Sequence, residues 1–310
     1  MDMSGDEARI MGEEGLIEEA DHLQVHDFMS LVDNPVLWQT PMVVSIGVFD
    51  GIHLGHQSIL RTCTELASRH TAEGWQCMVI SFNKNPKMTH GPQKMLLPLM
   101  GRRQEHAMFN SLGFQHHVII DFSDEISKLS GEEFLNLVCG FCSVKALVVG
   151  EDFRCGAPDK SAGPVQLQEY LQRMAPGGKV IVPPFYRTQD GQVASSSRIR
   201  TLLLDGNVSG IQEVLGRDYI LDLAPYPYTI AEDKLVYRVR SFVQLVPSTG
   251  TYDGILYLRD GNTVIVQVAV DAEILKITGL SQVTGVQEKD AGRVSPLIPV
   301  SLGFVRSISL

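Results

Sequence analysis

The sequence is poor in cysteine, lacks long apolar runs and has no excess of basic charge. Its five cysteines are few and odd in number for 310 residues, which argues against the disulfide framework of a small secreted protein. No apolar run approaches the roughly 18 residues that a membrane helix needs. The first residues are acidic, whereas a secretory signal begins with basic residues and continues with apolar ones. We expect a cytoplasmic protein with no membrane partner.

Negative charge is concentrated at the start of the chain. The formal net charge is −10. Residues 1–40 hold ten acidic side chains and one basic side chain, whereas residues 41–220 hold 17 of each. We interpret residues 1–22 as an acidic, disordered leader. The acidic balance disfavours nucleic acid as a partner, and the sequence identifies no protein partner.

The middle of the chain alternates apolar runs with helical patterns. Five runs are apolar and rich enough in β-branched residues for buried strands: Met42–Phe49, Gln76–Phe82, Gln115–Asp121, Ala146–Gly150 and Lys179–Pro183. Because helical periods separate them, they predict an α/β fold, a parallel sheet with helices on both faces. We assign this domain to residues 23–219.

Strand patterns without intervening helices follow Tyr219. The three patterns are Leu235–Val246, Gly254–Leu258 and Val264–Val270. Asp260-Gly261 lies between the last two and is a strong hairpin signal. We predict that residues 220–310 form a small antiparallel, β-barrel-like domain, with Leu221–Tyr228 as the linker.

The segment that joins the first predicted strand to its helix is Gly47-Val48-Phe49-Asp50-Gly51-Ile52-His53-Leu54-Gly55-His56. Ligands bind at the carboxyl ends of the strands in such sheets, and a helix N-terminus there offers free N–H groups to a phosphate. Gly55 removes a side chain that would hold a phosphate away from the backbone. His53 and His56 share one face of the first helical turn and can donate hydrogen bonds to a phosphate whose charge rises in a transition state. In the alternative interpretation, the glycines shape a tight turn and the histidines are polar caps.

A second segment, Ala194-Ser195-Ser196-Ser197-Arg198-Ile199-Arg200, opens a helix far along the same domain. Serine hydroxyls can cap this helix, and its N-terminus can bind a further phosphate. Arg198 and Arg200 can neutralise a polyphosphate or a leaving pyrophosphate. Taken alone, the segment fits serine capping beside solvated arginines, and its combination with the first segment favours phosphate binding.

A third segment, Val149-Gly150-Glu151-Asp152-Phe153-Arg154-Cys155-Gly156, lies just past a predicted strand. It supplies backbone groups, two carboxylates and a base at the edge of the sheet where ligands bind. Such a loop can contact an adenine edge or help to place Mg²⁺. The alternative is a surface loop with ordinary ion pairs.

The three segments, in this order, resemble the adenylyltransferase module of the bacterial FAD synthetases, the bifunctional riboflavin kinase/FMN adenylyltransferase family. Residues 47–56 match the family's G-x-F-D-G-x-H-x-G-H at every fixed position. Residues 149–156 match V-G-E-D/N-F-x-F-G with Cys155 in place of Phe, and the late segment matches I-S-S-T/S-x-I-R with Ala194 in place of Ile. The resemblance runs from about Val25 to Tyr219 and implies a Rossmann-like nucleotidylyltransferase sheet.

This resemblance implies an enzyme that transfers AMP from ATP to FMN, giving FAD and pyrophosphate with Mg²⁺ as cofactor. The catalytic residues that it implies are His53, His56, Ser197 and Arg200. The nucleotide-binding residues that it implies are Gly47, Phe49, Asp50, Gly55, Gly150, Asp152, Ser196 and Arg198. It leaves the metal ligands unidentified.

The sequence departs from the family pattern in two places. Where the family has T-F-D-P-H-P, this chain has Ser81-Phe82-Asn83-Lys84-Asn85-Pro86. We assign Phe82, Asn83, Asn85 and Pro86 to a flavin-side loop whose metal or flavin contacts are altered. The family's kinase module carries G-x-P-T-A-N, and no Pro-Thr-Ala-Asn follows Tyr219. We therefore interpret the C-terminal part as a degenerate riboflavin kinase module and predict that kinase activity is lost.

Three other functions remain open. They are a bifunctional riboflavin kinase/FAD synthetase, another nucleotidylyltransferase of the same superfold acting on a pantetheine or nicotinamide phosphate, and a non-catalytic flavin- or nucleotide-binding sensor. His53, Gly55 and His56 are all intact, which disfavours the sensor.

Two further patterns are discounted. Cys139-Gly140-Phe141-Cys142 trails a predicted helix, whereas a thioredoxin-like redox motif lies at a strand-to-helix turn. His116-His117 precedes a predicted strand, and we expect both side chains to be solvated.

Overall fold

The computed structural model describes residues 22–83, 97–121, 124–231, 234–280 and 298–308. These residues cluster into two compact units. Within the described ranges, the first unit comprises residues 22–83 and 105–187, and the second comprises residues 97–104 and 188–308. Most of the leader, with Asn85 and Pro86, lies outside the described residues.

The first unit contains a six-stranded sheet in which every neighbouring pair is parallel. Its strands are β1 (Gln24–Asp27), β2 (Pro41–Ile46), β3 (Gln76–Phe82), β4 (His116–Ile120), β5 (Ser143–Val148) and β6 (Lys179–Ile181). The spatial order is β1-β4-β3-β2-β5-β6. The chain therefore moves to one side of β2 through β3 and β4 and to the other side through β5 and β6. Ligands bind in such sheets where the strand order reverses, which here is the carboxyl edge of β2 and β5.

Helices follow the strands of this unit. They are α1 (Phe28–Asp33), α2 (Leu54–Ser68), α3 (Arg102–Ser111), α4 (Asp124–Lys128), α5 (Gly131–Phe141) and α6 (Pro164–Met174). The first three residues of α3, up to Gln104, cluster with the second unit. Short 3₁₀ helices occupy Thr71–Glu73 and Pro158–Lys160. All but the first residue of β2 and the two end residues of β3 are buried, as expected for central strands covered on both faces.

The second unit contains two helices and a seven-stranded antiparallel sheet. The helices are α7 (Ser196–Leu204) and α8 (Val208–Leu215). The strands are β7 (Tyr219–Asp222), β8 (Thr229–Ala231), β9 (Lys234–Arg238), β10 (Gly250–Leu258), β11 (Thr263–Val270), β12 (Ile274–Thr278) and β13 (Pro299–Ile308). Their order is β7-β13-β10-β11-β12-β9-β8. Buried and more exposed positions alternate along β10 and β11, so one face of the sheet packs into a core.

The predicted fold class is confirmed: a parallel α/β sheet with helices is followed by an antiparallel sheet. The hairpin at Asp260-Gly261 is also confirmed, since β10 and β11 pair antiparallel on either side of it. The prediction of domain boundaries stays a prediction. In the structure, α7 and α8 cluster with the antiparallel sheet, because α8 contacts β7 and β13.

Two predictions of local structure were wrong. The predicted strand Leu235–Val246 ends at Arg238, and a 3₁₀ helix follows at Val239–Ser241. The predicted linker begins too early, because Leu221 is fully buried in β7 and pairs with Leu302 of β13. Among the described residues, no helix is long and apolar enough to span a membrane.

Candidate functional site

The loop between β2 and α2 is held in a strained conformation. Gly51 and Ile52 both have positive φ angles, of 83° and 39°. A β-branched residue in this region costs about 1–3 kcal/mol and persists only where the surroundings enforce it. Ile52 is fully buried, its N–H donates to the carbonyl of Phe49 (3.1 Å), and its own carbonyl accepts from Gln57 Nε2 (3.0 Å). Such strain is concentrated at functional sites.

The two histidines of this loop are stacked at the start of α2. His53 is the N-cap of the helix, and its Nδ1 accepts a hydrogen bond from the N–H of His56 at 3.3 Å. The ring centroids of His53 and His56 are 3.7 Å apart and the rings are inclined by 22°. Because Nδ1 of His53 is an acceptor, Nε2 carries the proton of the neutral ring. The N-cap therefore fixes a tautomer whose Nε2–H is a donor.

His56 is kept neutral by its surroundings. Its Nδ1 is buried and has no hydrogen-bond partner among the described residues. Burial, and secondly the neighbouring His53, hold the pKa of His56 well below its usual range. A buried polar atom without a partner costs free energy. The side chain thus carries unused hydrogen-bonding capacity at a helix N-terminus.

Phe49 packs edge-on against two rings, His56 at 5.3 Å and Phe109 at 5.7 Å between centroids. Gly47 leaves room for this ring, because a Cβ at that position would make a tight contact of 3.1 Å with Cζ of Phe49. Gly47 therefore leaves space for the ring of Phe49. That ring packs against His56, which is a proposed catalytic residue.

The loop after β5 lies beside the loop after β2, since the two strands are paired. Ser45 of β2 donates its hydroxyl to the carbonyl of Val148 in β5 at 2.9 Å. Gly150 then accepts from the N–H of Phe153 (3.1 Å) in a tight turn, and Asp152 at the tip of the turn is exposed.

The end of this loop is structural. Cys155 is buried, and its backbone pairs with Ala162. Gly156 has a φ of 91°, and a Cβ there would lie 2.3 Å from the backbone nitrogen of Gly131. The third motif therefore begins with the exposed turn that contains Asp152 and ends at Cys155 and Gly156, which are closely packed against their neighbours.

The predicted flavin-side residues begin at the end of β3. Phe82 is half-buried and packs against the core of the unit. The N–H of Asn83 donates to the carbonyl of Ile120 at 2.8 Å and so extends the pairing of β3 with β4. The roles of these two residues stay predictions.

In the second unit, the serines and arginines of the late motif lie at the start of α7. Ser195 is the N-cap, and its hydroxyl accepts from the N–H of Arg198 at 3.3 Å. The Arg198 guanidinium donates to Thr188 Oγ1 (2.6 Å) and Asp190 Oδ2 (2.7 Å). Ser196 and Ser197 follow the cap, and Ser197 is exposed. Arg198 is therefore paired within its own unit.

Arg200 is also held by neighbouring groups. Its Nη2 donates to the carbonyl of Leu97 at 3.1 Å, and its Nη1 to the carbonyl of Ser196 at 3.4 Å. Its side chain is thus tied to the start of α7 and to a segment about a hundred residues earlier in the chain. The sequence predicted the helix start correctly but gave no sign of this contact.

The family model for FAD synthetase matches residues 37–198, which is more than half of the chain. The chain belongs to the FAD synthetase family. The match includes the loops after β2 and β5 and ends within the late motif at the start of α7, so family membership applies to this part and leaves the antiparallel sheet unassigned.

Two curated relatives of this FAD synthetase family member illustrate the similarity. A bifunctional riboflavin kinase/FMN adenylyltransferase of Bacillus subtilis is 27% identical over 187 residues, covering 59% of this chain and 56% of the relative. A protein named FAD synthetase of Listeria monocytogenes is 27% identical over 229 residues, covering 72% and 85%. The matched part spans about half the length of the bifunctional relatives from Bacillus subtilis and Listeria monocytogenes.

A solved structure supports the fold alone. The chain is similar to a macrolide-efflux protein from Streptococcus pneumoniae, with a TM-score of 0.66 at 20% identity over 88% of this chain and 91% of that one. Because 88% of this chain is covered, the similarity includes residues of both units.

Several residues of the site were missed by sequence analysis. Ile52, Gln57 and Phe109 enforce the loop, and only the spacing of Gln57 on the buried face of α2 signals such a role. The expectation of solvated histidines at 116 and 117 was wrong. His116 bonds His26 (3.0 Å) and Gln76 (2.8 Å), and His117 bonds Ser81 (2.8 Å), all inside the first unit.

The cysteines of the discounted pair are at the end of α5. Burial raises the pKa of Cys139 to about 11 and that of Cys142 still further, so both thiols are protonated at neutral pH and poorly nucleophilic. No group of three or more metal-ligating side chains occurs within the described part of the chain.

Proposed function

We propose that this FAD synthetase family member is an FMN adenylyltransferase, which transfers AMP from ATP to FMN and releases pyrophosphate. The observation that carries the proposal is the stacked pair His53 and His56 at the N-terminus of α2, beside the point where strand order reverses. Family membership supplies the reaction class, and the donors at this edge of the sheet suit a phosphate.

In the proposed reaction, a phosphate oxygen of FMN attacks the α-phosphorus of ATP. A new P–O bond forms as the bond to the β-phosphate oxygen breaks, and the electron pair leaves with pyrophosphate. The protein mainly aligns the two anions and stabilises the charge of the transition state. The Nε2–H of His53 and the first free N–H groups of α2 are donors that can do so without a change of protonation.

His56 acts as a neutral group in this proposal. Its depressed pKa means that it donates or accepts a hydrogen bond rather than supplying a full positive charge. The cationic groups that we propose for the pyrophosphate side are Arg198 and Arg200, with the hydroxyls of Ser196 and Ser197. Their roles rest on the motif.

Mg²⁺ fits the donors at the edge of the sheet. This ion prefers oxygen ligands and is commonly held by one or two carboxylates together with substrate phosphates. Asp50 and Asp152 follow β2 and β5, which are paired strands, and are the carboxylates that we propose for it. When bound, Mg²⁺ supplies charge neutralisation at the phosphates.

We further propose that the chain lacks riboflavin kinase activity. The support is the absence of a Pro-Thr-Ala-Asn sequence after Tyr219. In this proposal, the antiparallel sheet keeps its strands but lacks that phosphate-binding motif, and its role is structural.

The test is incubation of the purified chain with ATP and Mg²⁺ and, separately, FMN or riboflavin, with products resolved by chromatography. The proposal expects FAD from FMN and no product from riboflavin. Formation of FMN from riboflavin would show a bifunctional enzyme. Binding of FMN without turnover would favour a sensor, and turnover of a pantetheine or nicotinamide phosphate alone would favour another nucleotidylyltransferase.

A further inference from the structure

The segment Leu97–Gln104, named the strap here, belongs to the second unit although in sequence it lies between the two parts of the first unit. Three successive carbonyls of the strap accept hydrogen bonds from later parts of the chain. Leu97 accepts from Arg200 Nη2 (3.1 Å), Pro98 from the N–H of Leu245 (2.9 Å), and Leu99 from Gln244 Nε2 (3.0 Å). The strap thus links Arg200 to the segment that precedes β10.

Gln244 is the centre of this arrangement. Only 1% of its surface is exposed. Its Nε2 donates to the carbonyls of Leu99 and Ile220 (2.7 Å), and its Oε1 accepts from the N–H of Asp222 at 3.0 Å. A buried amide with both ends satisfied fixes the groups that it joins, because an unsatisfied donor or acceptor would be costly. Gln244 therefore fastens the strap to β7.

A second fastening holds the other end of the strap. Arg103 donates from Nη2 to Asp222 Oδ1 at 2.6 Å and from Nε to Oδ2 at 3.2 Å. Asp222 is buried in β7. The contact is a bidentate arginine–carboxylate pair, which is stronger than a neutral hydrogen bond and fixes the orientation of both groups. Between the two fastenings, the strap has little freedom to shift relative to β7.

We propose that Gln244 is a positioning residue that acts through the strap on Arg200, and so sets how Arg200 meets the phosphates of ATP. This inference rests on the proposed function, since it takes Arg200 to be a phosphate ligand. A guanidinium held by a fixed carbonyl is pre-oriented, and a displaced binding group loses much of its effect. The antiparallel sheet then contributes to nucleotide binding without chemistry of its own.

The test is a double-mutant cycle on the full chain, with the dissociation constant of a non-hydrolysable ATP analogue as the readout. Gln244→Met should raise this constant about tenfold when Arg200 is present. In an Arg200→Ala background, the same change should alter it by less than about twofold, because the group through which Gln244 acts is gone. The FMN dissociation constant should stay within about twofold in both backgrounds. Val243→Ala, an exposed neighbour, is the matched control and should leave ATP binding unchanged.

Equal effects of Gln244→Met in both backgrounds would overturn the inference and leave the proposed function intact. Failure of the unaltered chain to bind the analogue would overturn the proposed function itself. If Gln244→Met does not fold, the same test is made at Arg103, whose side chain is half-exposed. Arg103→Met should weaken ATP binding only when Arg200 is present, whereas Arg306→Met, which breaks an arginine–aspartate pair on the same sheet, should not. An equal effect of these two changes would also overturn the inference.

Discussion

The loop after β2 and the start of α7 are both proposed phosphate sites, yet they are built in opposite ways. The first is strained at Ile52 and holds two neutral, stacked histidines, one with a buried nitrogen that has no partner among the described residues. In the second, Arg198 is paired with Asp190 and Arg200 with a backbone carbonyl. The first region offers, in a fixed geometry, a nitrogen of His56 that is unpartnered within the described part of the chain, and the second offers guanidinium groups that already donate hydrogen bonds.

Under the proposed function, we expect the two regions to have different tasks. A preorganised neutral donor adds most where charge develops in a transition state, which fits the α-phosphate. An arginine that is paired with a carboxylate, as Arg198 is with Asp190, must exchange one anion for another, which fits binding of a ground-state polyphosphate. Changes in the first region should therefore affect kcat, and changes in the second should affect the KM for ATP.

Replacement of His56 tests the comparison with the largest expected effect. His56→Ala should lower kcat by about a hundredfold or more, because the proposed function places the hydrogen-bonding capacity of His56 where charge develops in the transition state, while the KM for ATP changes little. Steady-state FAD formation measures both. His70→Ala, a histidine stacked on Trp75 away from the loop, is the control, and equal losses in the two variants would contradict the assignment.

Gly47→Ala should lower kcat about tenfold, since a Cβ 3.1 Å from the Phe49 ring displaces that ring and with it His56. Gly140→Ala is the matched control, because a Cβ there meets nothing within 4 Å. The control should keep full activity and gain about 0.5–1 kcal/mol of stability from its helical position. Full activity of Gly47→Ala would contradict the inference that Phe49 positions His56.

His116 is a histidine whose pKa is also lowered but to which we assign no role in catalysis. Burial, and secondly His26, lower the pKa of His116 to about 4, whereas the unfolded chain binds that proton near pH 6.5. Between these values the unfolded state holds more protons, so stability is lost as the pH falls. We expect His116→Gln to remove about 1–2 kcal/mol of the destabilisation seen between pH 7.5 and 5 without changing kcat at pH 7.5. Urea unfolding at the two pH values measures this.

Val243→Ala, an exposed side chain that does not titrate, should leave that pH dependence as it is. If His116→Gln keeps the whole pH dependence, burial of His116 is not its source.

The smallest expected effect is at the paired arginine. Asp190→Asn removes the nearer of two carboxylates beside Arg198, the other being Glu213. The KM for ATP should therefore fall about threefold, in keeping with the modest strength of partly exposed ion pairs. Asp253→Asn, which breaks the pair with Arg306, should not change it. A rise in KM would show that Asp190 orients Arg198 instead of competing for it.

Much of the fold follows from local patterns. The apolar runs of β2 and β3, the period of α2 and the Asp260-Gly261 turn each encode their own structure, so their prediction needed no distant partner. The helix starts that carry the proposed phosphate sites were likewise recognisable, because glycine, histidine and serine have local roles at helix starts.

What the sequence could not reveal depends on partners far along the chain. His116 and His117 look polar and solvated until Gln76 and Ser81 of β3 supply their hydrogen bonds. The strap is short and irregular, and its place depends on Gln244. β1 has only four residues, mostly exposed, so no apolar pattern indicated it. Long-range pairing, not local propensity, decides all three.

The most direct test of adenylyl transfer follows labelled phosphorus in ATP. With FMN and Mg²⁺, label in the α-phosphate should appear in FAD, and label in the γ-phosphate should appear only in pyrophosphate. The first of these signals should fall about a hundredfold in His56→Ala. Label from the γ-phosphate on a flavin, or no α-label in FAD from the unaltered chain, would contradict the account.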